Sequence, residues 1–209
     1  MPYGYLGQNL PNQTKSNSGV FSISDVADLE KQGKFGGSLE LIAQESYSSA
    51  VSEIDFTSIQ ESKYDVHLFQ ISDVHSGTNG ASIKIRFYES GVLETASVYQ
   101  YARQVGTVGG TFLEQRSTGI DGIPAMGSLN SSAGSGNQYV YCYNLGNSNK
   151  YSFVTFQDFT FDTNNGVMTF GGGVLPQTST VNGVRFFLSS GNFSSFDIKL
   201  YGVKQIWVL

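Results

Sequence analysis

The stretch YDVHLFQISDVHSGTNGASIKIRFYES (64–90) decides the fold class. Apolar and polar residues alternate along it, so that the isoleucines of its second half share one face with Phe87. A period of two is the pattern of a half-buried β-strand. The segment 76–80 between the two halves ends in Asn-Gly, a pair favoured in hairpin turns. We therefore predict two strands, 64–74 and 81–90, joined as a hairpin.

The same alternation continues along most of the chain. Further strand candidates are 39–43, 51–56, 96–102, 138–144 and 151–161, and the stretches that follow Asn165-Gly166, Asn182-Gly183 and Ser190-Gly191. Nine or ten short strands separated by turn residues are typical of an antiparallel sandwich or barrel. The sequence therefore predicts an all-β domain over residues 38–209.

Residues 104–137 interrupt this alternation. They contain eight glycines and the run STGIDGIPAMGSLNSSAGSG. Loops longer than about 15 residues usually have a function or are flexible. We interpret the segment as a long excursion at one end of the sandwich and as a variable contact surface. An ordered loop that only covers an open sheet edge fits the composition equally well.

The N-terminal part has a different character. Residues 1–21 show no period and are expected to be extended unless something binds them. A short helix is predicted next, with Ser22 as its N-cap, Val26 and Leu29 on one face, and Gly33 as its stop. A helix of about ten residues is not stable alone in water, so it must pack on something. We predict a separate N-terminal segment, 1–37.

Composition and charge narrow the classes of function. The formal net charge is −5, charged residues make up 14% of the 209 residues, and the basic residues are scattered. Nucleic acids and anionic membrane surfaces are bound by concentrated positive charge, so neither is expected as a partner. No stretch reaches the roughly 20 apolar residues of a membrane helix, and the first residues do not have the pattern of a signal peptide. With one cysteine and no leader pattern, we expect folding in a reducing cytoplasm.

The residue types that usually perform chemistry give no specific motif. His67 and His75 are the only histidines, and two nitrogen ligands are too few for a typical zinc site. Cys142 lies in an aromatic strand, where a buried structural thiol is expected. Asp162 begins a sequence that is similar to the start of a calcium loop, but it falls at an expected hairpin turn. The glycine-rich segment 106–112 has no phosphate-binding ending. We predict no catalytic residue, no metal and no cofactor.

Paired carboxylates are considered because glycosidases use them. The candidates are Glu45, Glu53, Asp55 and Glu61 in one stretch and Asp158 and Asp162 in another. We interpret them mainly as solvated side chains. A depolymerase-type enzyme would instead place two of them about 5 to 10 Å apart in a cleft.

Aromatic residues are the more informative group. Tyr139, Tyr141 and Tyr143 follow one another at steps of two and so share one strand face. Such a row can stack on sugars, or it can pack between subunits, where tyrosine is favoured. A third interpretation places it at the rim of the sandwich core.

The stretches 16–37, 181–203 and 64–90, taken together, resemble parts of the structural proteins of marine tailed phages, particularly cyanophages. The stretch SNSGVFSISDVADLEKQGKFGG (16–37), preceded by PYGYLGQNLPNQ, resembles their N-terminal module. The stretch VNGVRFFLSSGNFSSFDIKLYGV (181–203) is similar to the final hairpin of their jelly-roll-like domains, and the strands of 64–90 match their early strand pair in character. Together these stretches cover about half of the chain.

The resemblance implies an antiparallel jelly-roll-type β-sandwich with an N-terminal extended arm and one short helix. It also implies a virion protein: a head decoration (cement) protein, a knob or a short fibre. Such a protein is made in the host bacterial cytoplasm and then becomes part of the virion. On this hypothesis the arm docks on other virion proteins through a set of apolar residues, namely Tyr3, Tyr5, Leu6, Phe21, Val26, Leu29 and Phe35.

Partners and alternatives follow from this hypothesis. Virion appendages are usually symmetric, so we expect a homo-oligomer, with a trimer as the working hypothesis. A host surface glycan is the other expected partner, either on the tyrosine row or on residues 104–137. The first alternative function is therefore a carbohydrate-binding or receptor-binding module of a tail fibre, and the second is the depolymerase.

Overall fold

The computed structural model describes residues 23–31, 37–131, 136–162 and 165–204. The chain divides into two units, Met1–Leu39 with Lys204–Leu209 and the larger Glu40–Val203. In the first unit the described residues contain one helix, α1 (Ile23–Lys31), which confirms the predicted helix. No helix among the described residues has both the length and the apolar character needed to cross a bilayer.

Thirteen strands follow within the described residues. They are β1 (Leu39–Tyr47), β2 (Glu53–Phe56), β3 (Val66–Ser76), β4 (Ile83–Glu89), β5 (Val92–Leu93), β6 (Tyr99–Thr107), β7 (Phe112–Ile120), β8 (Ile123–Pro124), β9 (Gly136–Tyr143), β10 (Ser152–Phe161), β11 (Gly166–Leu175), β12 (Val181–Leu188) and β13 (Phe193–Val203). The eight-stranded sheet has the order β1-β13-β3-β9-β10-β11-β6-β7. The second sheet has the order β2-β12-β4-β5, with β8 paired to β4.

The topology is that of a jelly roll. Successive strands β1, β2, β3 and β4 alternate between the two sheets. The last two strands return beside them, because β13 lies between β1 and β3 in one sheet and β12 lies between β2 and β4 in the other. This nested antiparallel winding defines jelly rolls, so the predicted jelly-roll-type sandwich is confirmed. Strands β10, β11, β6 and β7 extend the eight-stranded sheet beyond β9.

The core lies between the two sheets and is built from alternating strand positions. In β10 every second residue is buried and the residues between them face solvent. Three rings join the sheets at the centre: Phe69 of β3 lies 5.0 Å from Phe186 of β12 and 5.3 Å from Phe56 of β2, measured between ring centroids. Such edge-on aromatic pairs add to the stabilisation that comes from burying their area.

The strands predicted at 64–74 and 81–90 exist, but their pairing as a hairpin is wrong. β3 belongs to the eight-stranded sheet and β4 to the opposite sheet, so the connection crosses the sandwich. Gly80 has a φ of 81°, and its N–H donates to the carbonyl of Leu129 at 2.9 Å. The Asn-Gly pair therefore supplies a left-handed residue for a crossover instead of a hairpin turn.

The other turn signals give mixed results. Asn165-Gly166 forms the predicted hairpin, since Phe161 pairs with Gly166. Asn182-Gly183 lies inside β12, where the register shifts in a bulge. The stretch expected to be a final hairpin is two strands in different sheets, with Gly191 (φ 69°) in the crossover between them.

Residues 104–137 are not a long excursion. They contain the end of β6, all of β7 and β8, and the first residues of β9. After β8 the chain enters the sandwich, and Ala125, Met126 and Leu129 are fully buried. Backbone N–H groups of Ala125 and Leu129 donate to the carbonyls of Ile83 and Ala81. The described part of this segment therefore adds strands and completes the core, and the interpretation as a long loop is wrong.

Candidate functional site: the outer face of the eight-stranded sheet

The outer face of the eight-stranded sheet carries the candidate site. Its five strands β3, β9, β10, β11 and β6 each present four outward positions in a common register. We call this set the aromatic–amide face. Its residues are Val66, Leu68, Gln70 and Ser72; Asn137, Tyr139, Tyr141 and Tyr143; Phe153, Thr155, Gln157 and Phe159; Met168, Phe170, Gly172 and Val174; and Gln100, Ala102, Gln104 and Gly106.

No aspartate, glutamate, lysine, arginine or histidine is in this set. From standard strand spacings the set spans about 20 Å by 20 Å, or roughly 400 Å². That is the scale of the largest apolar patch on a typical monomer, and such patches are often functional. Four of its rings, Tyr139, Phe153, Phe159 and Phe170, are 42 to 53% exposed and so present surface to another molecule.

One row of this face alternates amides and rings. Reading across the five strands, the register places Gln70, Tyr139, Gln157, Phe170 and Gln104 side by side. The Tyr139 hydroxyl donates to Oε1 of Gln157 at 2.6 Å, which fixes both side chains. The row therefore offers aromatic surface and amide hydrogen-bonding groups in turn.

The three tyrosines of β9 share a face, as predicted, and that face is the outer one. The rings of Tyr139 and Tyr141 are 6.0 Å apart edge to face, and those of Tyr141 and Tyr143 are 6.4 Å apart and stacked. The Tyr143 hydroxyl lies 3.0 Å from that of Thr155. The third interpretation, a row at the core rim, is wrong because the buried positions of β9 are the residues between the tyrosines.

The face is not flat. An open depression of about 620 Å³ lies over β3, β9, β10 and β11. The face residues that line it are Leu68, Gln70, Ser72, Asn137, Tyr139, Tyr141, Gln157, Phe159 and Met168. Pockets for small ligands are usually of this size.

A bulge in β3 shapes one side of the depression. Ile71 pairs with Gln138 and Val74 with Gly136, so β3 has one extra residue there. Asp73 takes a φ of 50° at the bulge, and its backbone N–H donates to Oδ1 of Asn137 at 3.1 Å. Bulges of this kind redirect side chains and occur next to functional sites.

The outer face of the other sheet has the opposite character. Arg185 of β12 binds Asp55 of β2 through two hydrogen bonds of 2.7 and 2.6 Å, and Glu53 at 3.2 Å. Lys84 and Arg86 of β4 both bind Asp121. The outer face of the five-stranded sheet therefore carries paired charges, while the aromatic–amide face has none.

Of the residues considered for chemistry, His67 and Cys142 lie opposite each other on β3 and β9, and both are buried. His67 is buried, Nε2 of its ring lies 2.8 Å from the carbonyl of Ile59, and burial lowers its pKa. His75 binds Asp73 at 3.0 Å. Among the described residues no group of three or more His, Cys, Asp or Glu side chains is arranged to hold a metal. Cys142 is fully buried, and burial raises its pKa.

Asp158 contradicts the interpretation of the carboxylates as solvated side chains. It lies on the inner face of β10 and is 3% exposed. Burial raises its pKa to about 7, against the opposing effects of a 3.2 Å hydrogen bond from the Gly127 N–H and of the Arg103 charge. The alternation of β10, with Phe153, Phe159 and Phe161 on the other face, was the signal that could have placed it inside.

The predicted docking residues fall largely outside the described part of the chain. Tyr3, Tyr5, Leu6, Phe21 and Phe35 are not among the described residues, nor is the side chain of Leu29. Val26 lies in α1 and is half-buried.

Comparisons with protein-family models, with curated proteins and with solved structures find no match for this chain. The fold and the face define a jelly-roll-type β-sandwich with one uncharged aromatic surface. Function must then be argued from that surface, because a fold shared by many activities does not specify one.

Proposed function

We propose that this protein is a non-enzymatic structural component of a bacteriophage virion, exposed on the particle. The observation that carries the proposal is the aromatic–amide face, a broad surface suited to contact and without an ionised group. The jelly-roll sandwich and the resemblance of 16–37 to the N-terminal module of phage structural proteins support it. A head decoration protein, a knob and a short fibre all fit this role.

Attachment through the N-terminal segment is part of the proposal. Helix α1 has an acidic first turn and a basic last turn, at Asp25 and Lys31, which suits the helix dipole. Nine residues are still too few for a helix to be stable alone in water. We therefore propose that α1 is stabilised by packing on a partner. We propose other virion proteins as that partner, and self-association into a trimer as the arrangement.

The non-enzymatic part of the proposal has support from the carboxylates. Glu53 and Asp55 lie close together, but both bind the guanidinium of Arg185. The side chain of Asp158 is 3% exposed and lies on the inner face of β10. A glycosidase needs two carboxyl groups that flank a substrate, and these residues are used in other ways.

Deletion of residues 1–37 tests the attachment. Every residue of the described core lies after residue 40, so the shortened chain is expected to keep the β circular dichroism and cooperative unfolding of the full chain. Binding to particles of the phage that encodes it is expected to fall below detection in co-sedimentation. Light scattering on both chains would show whether the oligomer also depends on the segment.

A chain in which 1–37 is replaced by a glycine–serine segment of equal length is the matched control. This chain should also fail to bind, which would show that attachment depends on the sequence of residues 1–37 and not on their length. Undiminished binding by the shortened chain would contradict attachment through the arm. Loss of folding would place the helix in the core of the domain.

A second candidate function is a carbohydrate-binding or receptor-binding module of a tail fibre. The alternating row of Gln70, Tyr139, Gln157, Phe170 and Gln104 favours it, because rings and amides are the groups that recognise sugars. The two functions are compatible, since one concerns the arm and the other the sheet.

A further inference from the structure

We propose that the depression on the aromatic–amide face is a binding site for a neutral glycan, with Tyr139 and Gln157 at its centre. The site is distinct from the arm and does not depend on the proposed attachment to a particle. It identifies both a ligand class and the residues that would bind it.

The rings provide the first part of the argument. A pyranose ring has a face of C–H groups, which pack favourably on the negative face of an aromatic ring. Tyr139 is 44% exposed and Phe159 is 53% exposed, so each ring presents surface to a ligand. Tyr141 packs edge-on against Tyr139 and holds it in place.

The amides provide the second part. Each carboxamide has two donors and an acceptor, which suits adjacent sugar hydroxyls. Gln70 and Gln157 flank Tyr139 on the neighbouring strands, and Asn137 lies one outward position along β9. Asn137 accepts a hydrogen bond from the Asp73 N–H, and Gln157 accepts one from the Tyr139 hydroxyl. Held side chains lose less entropy on binding.

The absence of charge selects the ligand class. No side chain on the aromatic–amide face is an acid or a base of the Asp, Glu, Lys, Arg or His type. The cation beside the depression among the described strands is Lys199 of β13, which pairs with Gln70, and its ammonium lies 3.5 Å from the Asp197 carboxylate, so a sulfated or carboxylated sugar would have to compete with Asp197 for it. A neutral, hydroxyl-rich chain is the ligand that leaves no buried charge unpaired.

The shape of the site argues against a second copy of this chain. Two such faces packed together would bring two depressions of about 620 Å³ to one interface. Protein interfaces are packed as closely as interiors, so large voids at their centre are unfavourable. An extended ligand can fill the depression and continue along the row toward Phe170 and Gln104, which spans about 19 Å across five strands.

Affinity electrophoresis of the full chain tests this proposal. The probes are gels that contain a neutral glucan, a xylan or a galactomannan, with alginate and hyaluronate as charged counterparts. We expect retardation by at least one neutral polysaccharide and none by the charged ones. Tyr139→Ala should weaken this binding by about tenfold or more, which corresponds to 1.4 kcal/mol or more. Gln157→Ala should also weaken it.

Tyr151→Ala is the matched control. Tyr151 is 45% exposed, close to the value for Tyr139, but it lies six residues along the chain from Gln157 and does not line the depression. Its binding should be unchanged, and thermal unfolding of all variants should show that they are folded.

Three results would overturn the proposal. The first is retardation by none of the neutral polysaccharides, and the second is an equal effect of Tyr139→Ala and Tyr151→Ala. The third is a change in oligomeric mass in light scattering on Tyr139→Ala with no change in retardation, which would make the face a subunit contact. None of these results bears on the deletion of 1–37, so the two proposals fail separately.

Discussion

Replacing Phe186 by alanine is expected to lower the free energy of unfolding by about 4 kcal/mol, within the range known for buried Phe→Ala changes. Phe186 is fully buried on β12 and touches rings from both sheets. Alanine would leave a cavity beside Phe56 and Phe69 and remove the edge-on contacts between the sheets. A loss of this size is a large part of the stability of an ordinary domain.

Urea unfolding followed by circular dichroism measures this effect. Phe153→Ala is the matched control, because it makes the same change at a ring that is 42% exposed on the outer face of β10. We expect Phe153→Ala to lower the free energy of unfolding by less than about 1 kcal/mol, because a half-exposed ring buries much less apolar area on folding. Equal effects at the two positions would contradict the assignment of Phe186 to the core and of Phe153 to the surface.

The strands and their buried faces were largely predictable from the sequence. Alternation along β10, and along β3 up to its bulge, specifies which side chains go inward, because the side-chain period of a strand is two. The sheet to which a strand belongs was not predictable in this way. β3 and β4 both need one apolar face covered, and a hairpin and a crossover satisfy that need equally well. Long-range pairing decides between them, and short motifs such as Asn-Gly do not report it.

Residues 104–137 could not be assigned for a different reason. β7 carries a largely exposed pattern at the edge of its sheet, so its sequence has no strong alternation. The segment after β8 is buried without being regular structure, and its glycines resemble those of a surface loop. Gly127 shows the cause, since an added Cβ there would lie 2.9 Å from Oγ1 of Thr169. Glycine is needed at that position for close packing inside the sandwich.

The candidate site was partly predictable. A common face for Tyr139, Tyr141 and Tyr143 followed from their spacing alone. The residues beside Tyr139 could not be predicted in this way. Gln70 and Phe170 are far from it in sequence and come near it only through the registers of three strand pairs. The shape of the depression also depends on the bulge in β3, and no sequence pattern predicted that bulge.

Replacing Asp158 by asparagine is expected to stabilise the protein at pH 8 and to have little effect at pH 4. The pKa of Asp158 is about 7 in the folded chain because of burial, against an ordinary value of 3.8. As the pH rises from 4 to 7, the unfolded chain loses this proton first, so the folded state becomes relatively less stable across that window. The difference corresponds to roughly 4 kcal/mol above pH 7.

Asparagine removes that penalty because it cannot ionise. It can still accept the Gly127 N–H, and its amide can donate to the Thr169 hydroxyl beside it. Thermal unfolding between pH 4 and pH 8 measures the effect, and an increase on the order of 10 °C at pH 8 is expected for a chain of this size. The slope of stability against pH should become flatter by about one proton over the same window.

Asp65→Asn, at an exposed carboxylate, is the control and should leave the pH profile of unfolding nearly unchanged. If Asp158→Asn instead destabilised the protein at pH 8, the ionised carboxylate would be the form that holds the segment after β8. Its bond to Gly127 and the charge of Arg103, which donates to the carbonyls of Pro124 and Met126, would then outweigh burial. The sign of this one change therefore decides whether residues 123–130 are held in the core by a neutral hydrogen bond or by an ionised carboxylate in the field of Arg103.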